Sequence, residues 1–193
     1  MRRRFLLPLL ALALTSCHHA LCAQDVDVRG LIPDLALSMT DAATGKPVTA
    51  ADYQGRVTLL YFGYTSCPDV CPATLYNLTR VESRMGGDAA KIRILFVTVD
   101  PDRDSPATLA RYAALFGPTV SGLRGTADQL YRLAQRYRVV YAVTKAPTYQ
   151  VTHSSAVYVF NARGQAEFII GGLESGTPDL DGIAADLQQV TQE

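Results

Sequence analysis

The chain has 193 residues, 48% of them hydrophobic and 19% charged, with 18 basic side chains against 18 acidic ones. That balance fills the core of one compact domain and argues against global disorder. A net charge of zero leaves no basic footprint for nucleic acid.

The first element is a targeting segment. Arg2, Arg3 and Arg4 precede an apolar run from Phe5 to Leu14, too short to span a bilayer comfortably but suited to the core of a signal peptide. Leu14, Thr15, Ser16 and Cys17 then resemble a bacterial lipobox, so residues 1–16 are expected to be removed and Cys17 to carry the lipid. Ordinary cleavage after Ala23 competes, but it places bulky Leu21 where small residues are preferred. Loss of the three arginines leaves 15 basic side chains against 18 acidic, a net charge of −3. Either cut sends the protein out of the cytosol, where disulfides persist. The expected location is extracytoplasmic, on a membrane facing the periplasm or the cell exterior. Residues 17–30 show no periodic pattern and read as a tether, and 31–193 read as the domain.

In chain order the domain opens with a short strand at Leu35–Met39 and a turn at 41–47. RVTLLY, Arg56–Tyr61, reads as a buried strand, rich in β-branched and aromatic residues. After a loop with Cys67 and Cys71, Pro72 sits in the first turn of a helix running to about Arg84. KIRILFVTV, Lys91–Val99, is a second buried strand. Ser105 caps a helix with Pro106 at its first position, stopping at Gly117 and Pro118. Thr126 caps another helix to about Tyr137. Ser155–Phe160 and Gln165–Ile170 form a hairpin, and a last helix runs from Pro178 to about Val190. Strands alternate with helices before the closing hairpin and helix. The expected fold is therefore α/β, a central mixed sheet with helices on both faces, of thioredoxin-like type. The cysteines fall just past the carboxyl end of a central strand, where open α/β sheets bind ligands.

Four cysteines and three histidines are present. Cys17 belongs to the lipobox and Cys22 to the tether, so Cys67, Cys71 and His153 are the domain's own. A spacing of four on a helical turn points two thiols the same way, with Cα atoms about 6 Å apart, within disulfide range. The pair can oxidise, or it can chelate one soft ion. A nearby helix N-terminus favours thiolate, which both tasks need. A merely structural disulfide closes too short a loop to constrain much chain entropy. Zinc wants four ligands, whereas Cu(I) is satisfied by two thiolates and an imidazole. His153, in TYQVTHSSAVYVF just before a strand, is the candidate third ligand.

The chain resembles the Sco/SenC family over about Pro33 to Gln189. The resemblance rests on FGYTSCPDVCP (Phe62–Pro72), VDPDRDSP (Val99–Pro106), GLRGT (Gly122–Thr126) and His153 with Ser154 before the hairpin. It implies a thioredoxin fold, Cys67, Cys71 and His153 as copper ligands, and copper as Cu(I), Cu(II) or both. It also implies delivery of copper to the CuA site of cytochrome c oxidase subunit II, or reduction of that site's cysteines by thiol–disulfide exchange through the Cys67–Cys71 pair. Other cuproproteins and thiol–disulfide reductants are further implied partners. Two positions depart from the pattern. Thr152 stands where an Asp often precedes the histidine, and Ser66 precedes the first cysteine. No proline lies between Thr148 and Phe160, so His153 takes the place that a cis-proline holds in general thioredoxin-type oxidoreductases. A peroxidase is disfavoured, since no arginine is evidently placed to prime one thiolate.

Asp69, between the cysteines, either tunes the charge of the site or is a solvated loop carboxylate. Asp100 is a turn residue with Pro101, or else supports the site from behind. Arg103, Asp104 and Ser105 read as braces of the next helix. Tyr61, Tyr64, Tyr131 and Tyr137 suit core or site-wall packing. His18, His19 and Cys22 are either a weak metal patch on the tether or processing-region sequence. Mass spectrometry of the native protein tests the lipid assignment. An N-terminal peptide starting at Cys17 with a diacylglycerol mass is the expected result, and an unmodified start at Gln24 counts against it.

Overall fold

The computed structural model describes residues 21–192. The expected signal segment 1–16, Cys17 and the His18–His19 pair lie outside these residues.

The two apolar runs become the centre of the sheet. RVTLLY forms β4 (Val57–Gly63), every residue of which is buried, and KIRILFVTV forms β5 (Ile92–Thr98), buried except at Arg93. Strands covered on both faces read as continuous apolar runs, which is why alternation is lost in both. The cysteine loop leads into α1 (Val70–Met85), and α2 (Pro106–Ala114) follows β5. Ser105 accepts the Thr108 amide at 3.2 Å and Pro106 opens that helix, as expected. β6 (Val120–Arg124) pairs parallel to β5, and α3 (Ala127–Arg136) starts on a reciprocal cap between Thr126 and Gln129. The hairpin appears as β9 (Val157–Phe160) and β10 (Ala166–Ile170), followed by α4 (Leu180–Val190).

Three further strands complete the main sheet. β1 (Asp25–Asp27) pairs antiparallel with β10, and β2 (Ser38–Asp41) with both β6 and β3 (Pro47–Thr49). The main sheet then runs β1-β10-β9-β4-β5-β6-β2-β3. Two expectations are corrected here. The segment 17–30 is not wholly a tether, because β1 adds an edge strand from within it and Val28 is buried. The first expected strand begins at Ser38, not Leu35; Leu35 and Leu37 are buried ahead of it as packing residues. A second, two-stranded sheet joins β7 (Tyr141–Thr144) to β8 (Gln150–His153), with Tyr141 opposite His153.

Side-chain alternation divides the helices between the faces. Tyr61, Phe96 and Gly122 share one register row, and Phe96 stacks on Tyr112 of α2. The two parallel steps β4–α1–β5 and β5–α2–β6 thus lay α1 and α2 on this face. α4 packs beside α1, where Gln188 donates to the Met85 carbonyl, and Asn77 of α1 donates to the Leu173 carbonyl in the loop ahead of α4. α3 crosses the opposite face. Tyr137 at its end packs on Tyr158 and Phe160, which register with Leu60 and Thr58.

Gly63 ends β4 directly beneath the site. A Cβ there would lie 2.5 Å from the Phe96 ring and 2.9 Å from Cys71 Sγ. Neither neighbour is the end of a flexible surface chain, because both are fully buried. Gly63→Ala is expected to cost about 1–3 kcal/mol by overpacking. Chemical denaturation measures the loss, and an unchanged midpoint would show that Cys71 is less constrained than its burial implies.

Candidate metal centre

Helix α1 starts two residues after Pro68, and its N-cap is Asp69. Cys67 therefore lies in the loop ahead of the helix, while Cys71 occupies the second helical position and Pro72 the third. Proline is harmless there because the first helical amides have no partner within the helix. One of those amides does find a partner: the Cys71 N–H donates to Cys67 Sγ at 3.4 Å. The expected single helical turn holding both thiols is thus replaced by a helix whose first turn is capped by the sulfur of the earlier cysteine.

The loop is fixed from behind by a residue expected only to brace the next helix. Asp104, fully buried, accepts the Thr65 amide at 3.0 Å, the Thr65 hydroxyl at 2.6 Å and the Thr98 hydroxyl at 2.5 Å. The end of β5 therefore sets the position of the cysteine loop. The DPDRDSP turn held that information, but nothing in it says which acidic residue turns inward.

His153 closes the site from the end of β8, not from a loop. Its Nε2 lies 3.2 Å from Cys71 Sγ, and Nδ1 lies 2.9 Å from the Ser154 carbonyl oxygen. A carbonyl only accepts, so Nδ1 carries the proton and Nε2 presents its lone pair to the sulfur. The carbonyl of Ser154 thereby orients the ring, a task left open by Thr152 in place of an acidic residue. Tyr64 and Tyr61 meet the imidazole edge-on, with ring centroids 5.7 Å and 6.2 Å away. Cys67 Sγ, Cys71 Sγ and a His153 nitrogen all lie within 4.8 Å of one another. A cleft of about 290 Å³ between Pro68, Val70 and Val151 opens onto Cys67 and His153, with Cys71 buried behind them.

The two thiols are not alike. Burial alone would raise Cys67, but the Cys71 amide that donates to its sulfur, with the Asp69 amide, the Cys71 thiol and the Tyr64 hydroxyl close by, holds it below the ordinary thiol value. Cys71 is fully buried, and burial first, then the neighbouring Cys67, pushes it up to about 12. The helix N-terminus thus acts on one sulfur only. Burial also lowers His153 from its ordinary value, keeping the imidazole neutral and able to ligate at neutral pH.

Of the two carboxylates singled out in the sequence, neither touches the cluster. Asp69 is exposed at the helix cap, where its amide, not its side chain, serves Cys67. Asp100 is buried and accepts Arg103 Nε at 2.5 Å and the Tyr149 hydroxyl at 2.6 Å. Arg103 then stacks over Tyr149, 3.9 Å from the ring centre, and sits 5.8 Å from that of Tyr64. Asp100 supports the site only at this remove, by holding the wall that Tyr64 belongs to. Tyr149 had no sequence signal, since a lone tyrosine in a loop carries no periodic pattern.

A buried and a half-buried thiol, with a neutral imidazole against the buried one, at the edge of an α/β sheet, define a thioredoxin-like protein with a soft-metal or dithiol centre. The family model described as SCO1/SenC matches residues 38–192, and the chain belongs to that family. It is 38% identical over 149 residues to protein SCO2, mitochondrial, of Saccharomyces cerevisiae, covering 75% of this chain and 50% of that one. The chain spans about half the length of the curated relatives it matches. Among solved structures it resembles Bradyrhizobium japonicum ScoI with copper bound (34% identity, TM-score 0.71, 81% of this chain and 98% of that chain). It also resembles yeast Sco1 with copper bound (28% identity, TM-score 0.72, 83% and 90%).

Limited alkylation of the reduced protein tests the inequality of the thiols. Thiolate content and access together set the rate, so Cys67 is expected to be modified first, with Cys22 and Cys71 far behind. Its rate should hold down through the ordinary thiol range and fall only at lower pH, because its acidity is raised. Equal labelling of Cys67 and Cys71, read by peptide mass spectrometry, would contradict the described geometry.

Proposed function

We propose that this protein is a membrane-tethered copper chaperone that binds copper through Cys67, Cys71 and His153 and delivers it to the CuA site of cytochrome c oxidase subunit II. The observation that carries the reading is the His153 contact: a neutral imidazole with its lone pair 3.2 Å from a buried cysteine sulfur completes a set of two thiols and one nitrogen. Two soft sulfurs and one nitrogen suit Cu(I), and the imidazole also accepts Cu(II). Relatives solved with copper bound support the choice of metal. Copper would enter as cargo. The more accessible Cys67 meets the partner first, and the ion passes by exchange of one thiolate at a time. Oxidation of the pair to a disulfide removes both sulfurs, so redox state gates loading.

The tether in this reading is the lipid on Cys17. No helix among the described residues is long and apolar enough to cross a membrane, so attachment rests on the segment ahead of them.

The split in thiol acidity favours a second reading, a thiol–disulfide reductase for the cysteines of a cuproprotein. There the Cys67 thiolate attacks the partner's disulfide, and Cys71 resolves the mixed disulfide, leaving the partner reduced and this pair oxidised. His153 separates the two readings. A Cu(I) competition titration on the reduced protein should find one tightly held equivalent, weakened about tenfold or more in His153→Ala. Weak binding, or binding indifferent to His153, moves the assignment to the reductase.

A further inference from the structure

The segment ahead of β1 is held against α4 with unusual closeness. The Cys22 amide donates to Asp186 Oδ2 at 2.7 Å, and the Asp25 amide to the Cys22 carbonyl at 3.0 Å. Gln24 exchanges bonds with Gly171 and accepts the Asp179 amide at the cap of α4. The contact is tight enough to require a glycine in the helix, since a Cβ on Gly182 would lie 2.7 Å from that of Cys22. This arrangement turns three side chains into one cluster. Cys22 Sγ and one oxygen each of Asp25 and Asp186 lie within 4.8 Å of one another.

The cluster carries an unresolved cost. Asp25 is only 9% exposed, and neither of its carboxylate oxygens has a hydrogen-bond partner. It faces a second carboxylate, Asp186, that is 1% exposed. A buried carboxyl group with no donor, set beside a second carboxylate, holds a proton or needs a cation. Burial and then Asp186 push Asp25 up to about 7, and burial and then Asp25 push the Cys22 thiol up to about 12.

We propose that Cys22, Asp25 and Asp186 form a second metal site, for a divalent cation of the zinc type, that fastens the N-terminal segment to α4. One thiolate with two carboxylates is a harder set than the Cys67, Cys71 and His153 group, and it suits Zn²⁺ rather than Cu(I). The half-buried Cys22 leaves an approach through which water can supply the fourth ligand. On binding, Zn²⁺ forms bonds to the sulfur and to the two carboxylates. The thiol proton and the proton held on Asp25 leave to solvent, and nothing is oxidised or reduced. The site is independent of the copper reading, because it shares no residue with it.

The test uses the full-length chain carrying Cys67→Ser, Cys71→Ser and His153→Ala, which disables the first cluster. Zinc alone is titrated against a chromophoric chelator, and Co²⁺ is added in parallel for its spectrum. One equivalent of zinc is expected, with a zinc-dependent rise in Tm and a near-ultraviolet thiolate-to-cobalt band. Adding Cys22→Ser should abolish the band, and adding Asp25→Asn should weaken zinc about tenfold or more. Asp25→Asn relieves the clash of buried carboxylates, so its metal-free Tm should be no lower, which separates a lost ligand from a lost fold. Absence of binding, or binding unchanged by Cys22→Ser and Asp25→Asn, overturns the proposal.

Discussion

The contact between Cys71 Sγ and His153 Nε2 joins two parts of the molecule that the main sheet does not otherwise combine. Cys71 belongs to α1 and is buried against Gly63 at the end of β4. His153 belongs to the separate β7–β8 ribbon. The rest of the site serves to keep these two atoms together. Glycine at 63 lets the sulfur reach the sheet, the Ser154 carbonyl fixes the imidazole tautomer, and the Tyr61 and Tyr64 rings pack edge-on against the imidazole. The ribbon is pinned in turn by polar contacts at its far end, Tyr149 to Asp100 and Lys145 to Asp102.

The four-residue cysteine spacing acquires its meaning from the start of α1. Pro68 and Pro72 have no amide hydrogen, so the donors near the helix start are those of Asp69, Val70 and Cys71. Two of these, Asp69 and Cys71, serve the sulfur of Cys67. A cysteine two positions before the N-cap can receive them, because the chain turns back over the helix entrance there. The second cysteine, already inside the helix, faces the sheet and receives little of that field. The spacing thus produces one acidic, accessible thiol and one buried, reluctant thiol. A shared helical face would have made them equivalent.

Much of this was legible in the sequence, and the failures have physical causes. β4, β5, α2, α3 and the β9–β10 hairpin were readable because apolar runs, the Ser105 and Thr126 caps and the turn at 161–164 act locally. β1 was not: three residues with Val26 exposed have no pattern of their own, and the partner strand β10 makes them a strand. β6, with a glycine at its centre, carried no strand pattern; Gly122 is there because Leu109 of α2 packs on it, with atoms 2.8 Å from where a Cβ would stand. The three chemical residues were found by type and spacing. Their inequality was not, since burial of Cys71 and exposure of Cys67 depend on which turn of a helix begins where.

Asp100 and Asp104 show the same limit more sharply. Both lie in one turn, both are buried, and both are acidic. Asp104 points back to Thr65 and fixes the cysteine loop, while Asp100 points outward to Arg103 and Tyr149 and fixes the wall of the cleft. A turn between β5 and α2 therefore positions both sides of a site to which it contributes no atom. A carboxylate that takes two or three donors in a buried turn is costly to replace, because each donor left behind is unsatisfied. The cluster of Cys67, Cys71 and His153 is in this sense held by residues whose own chemistry is ordinary hydrogen bonding.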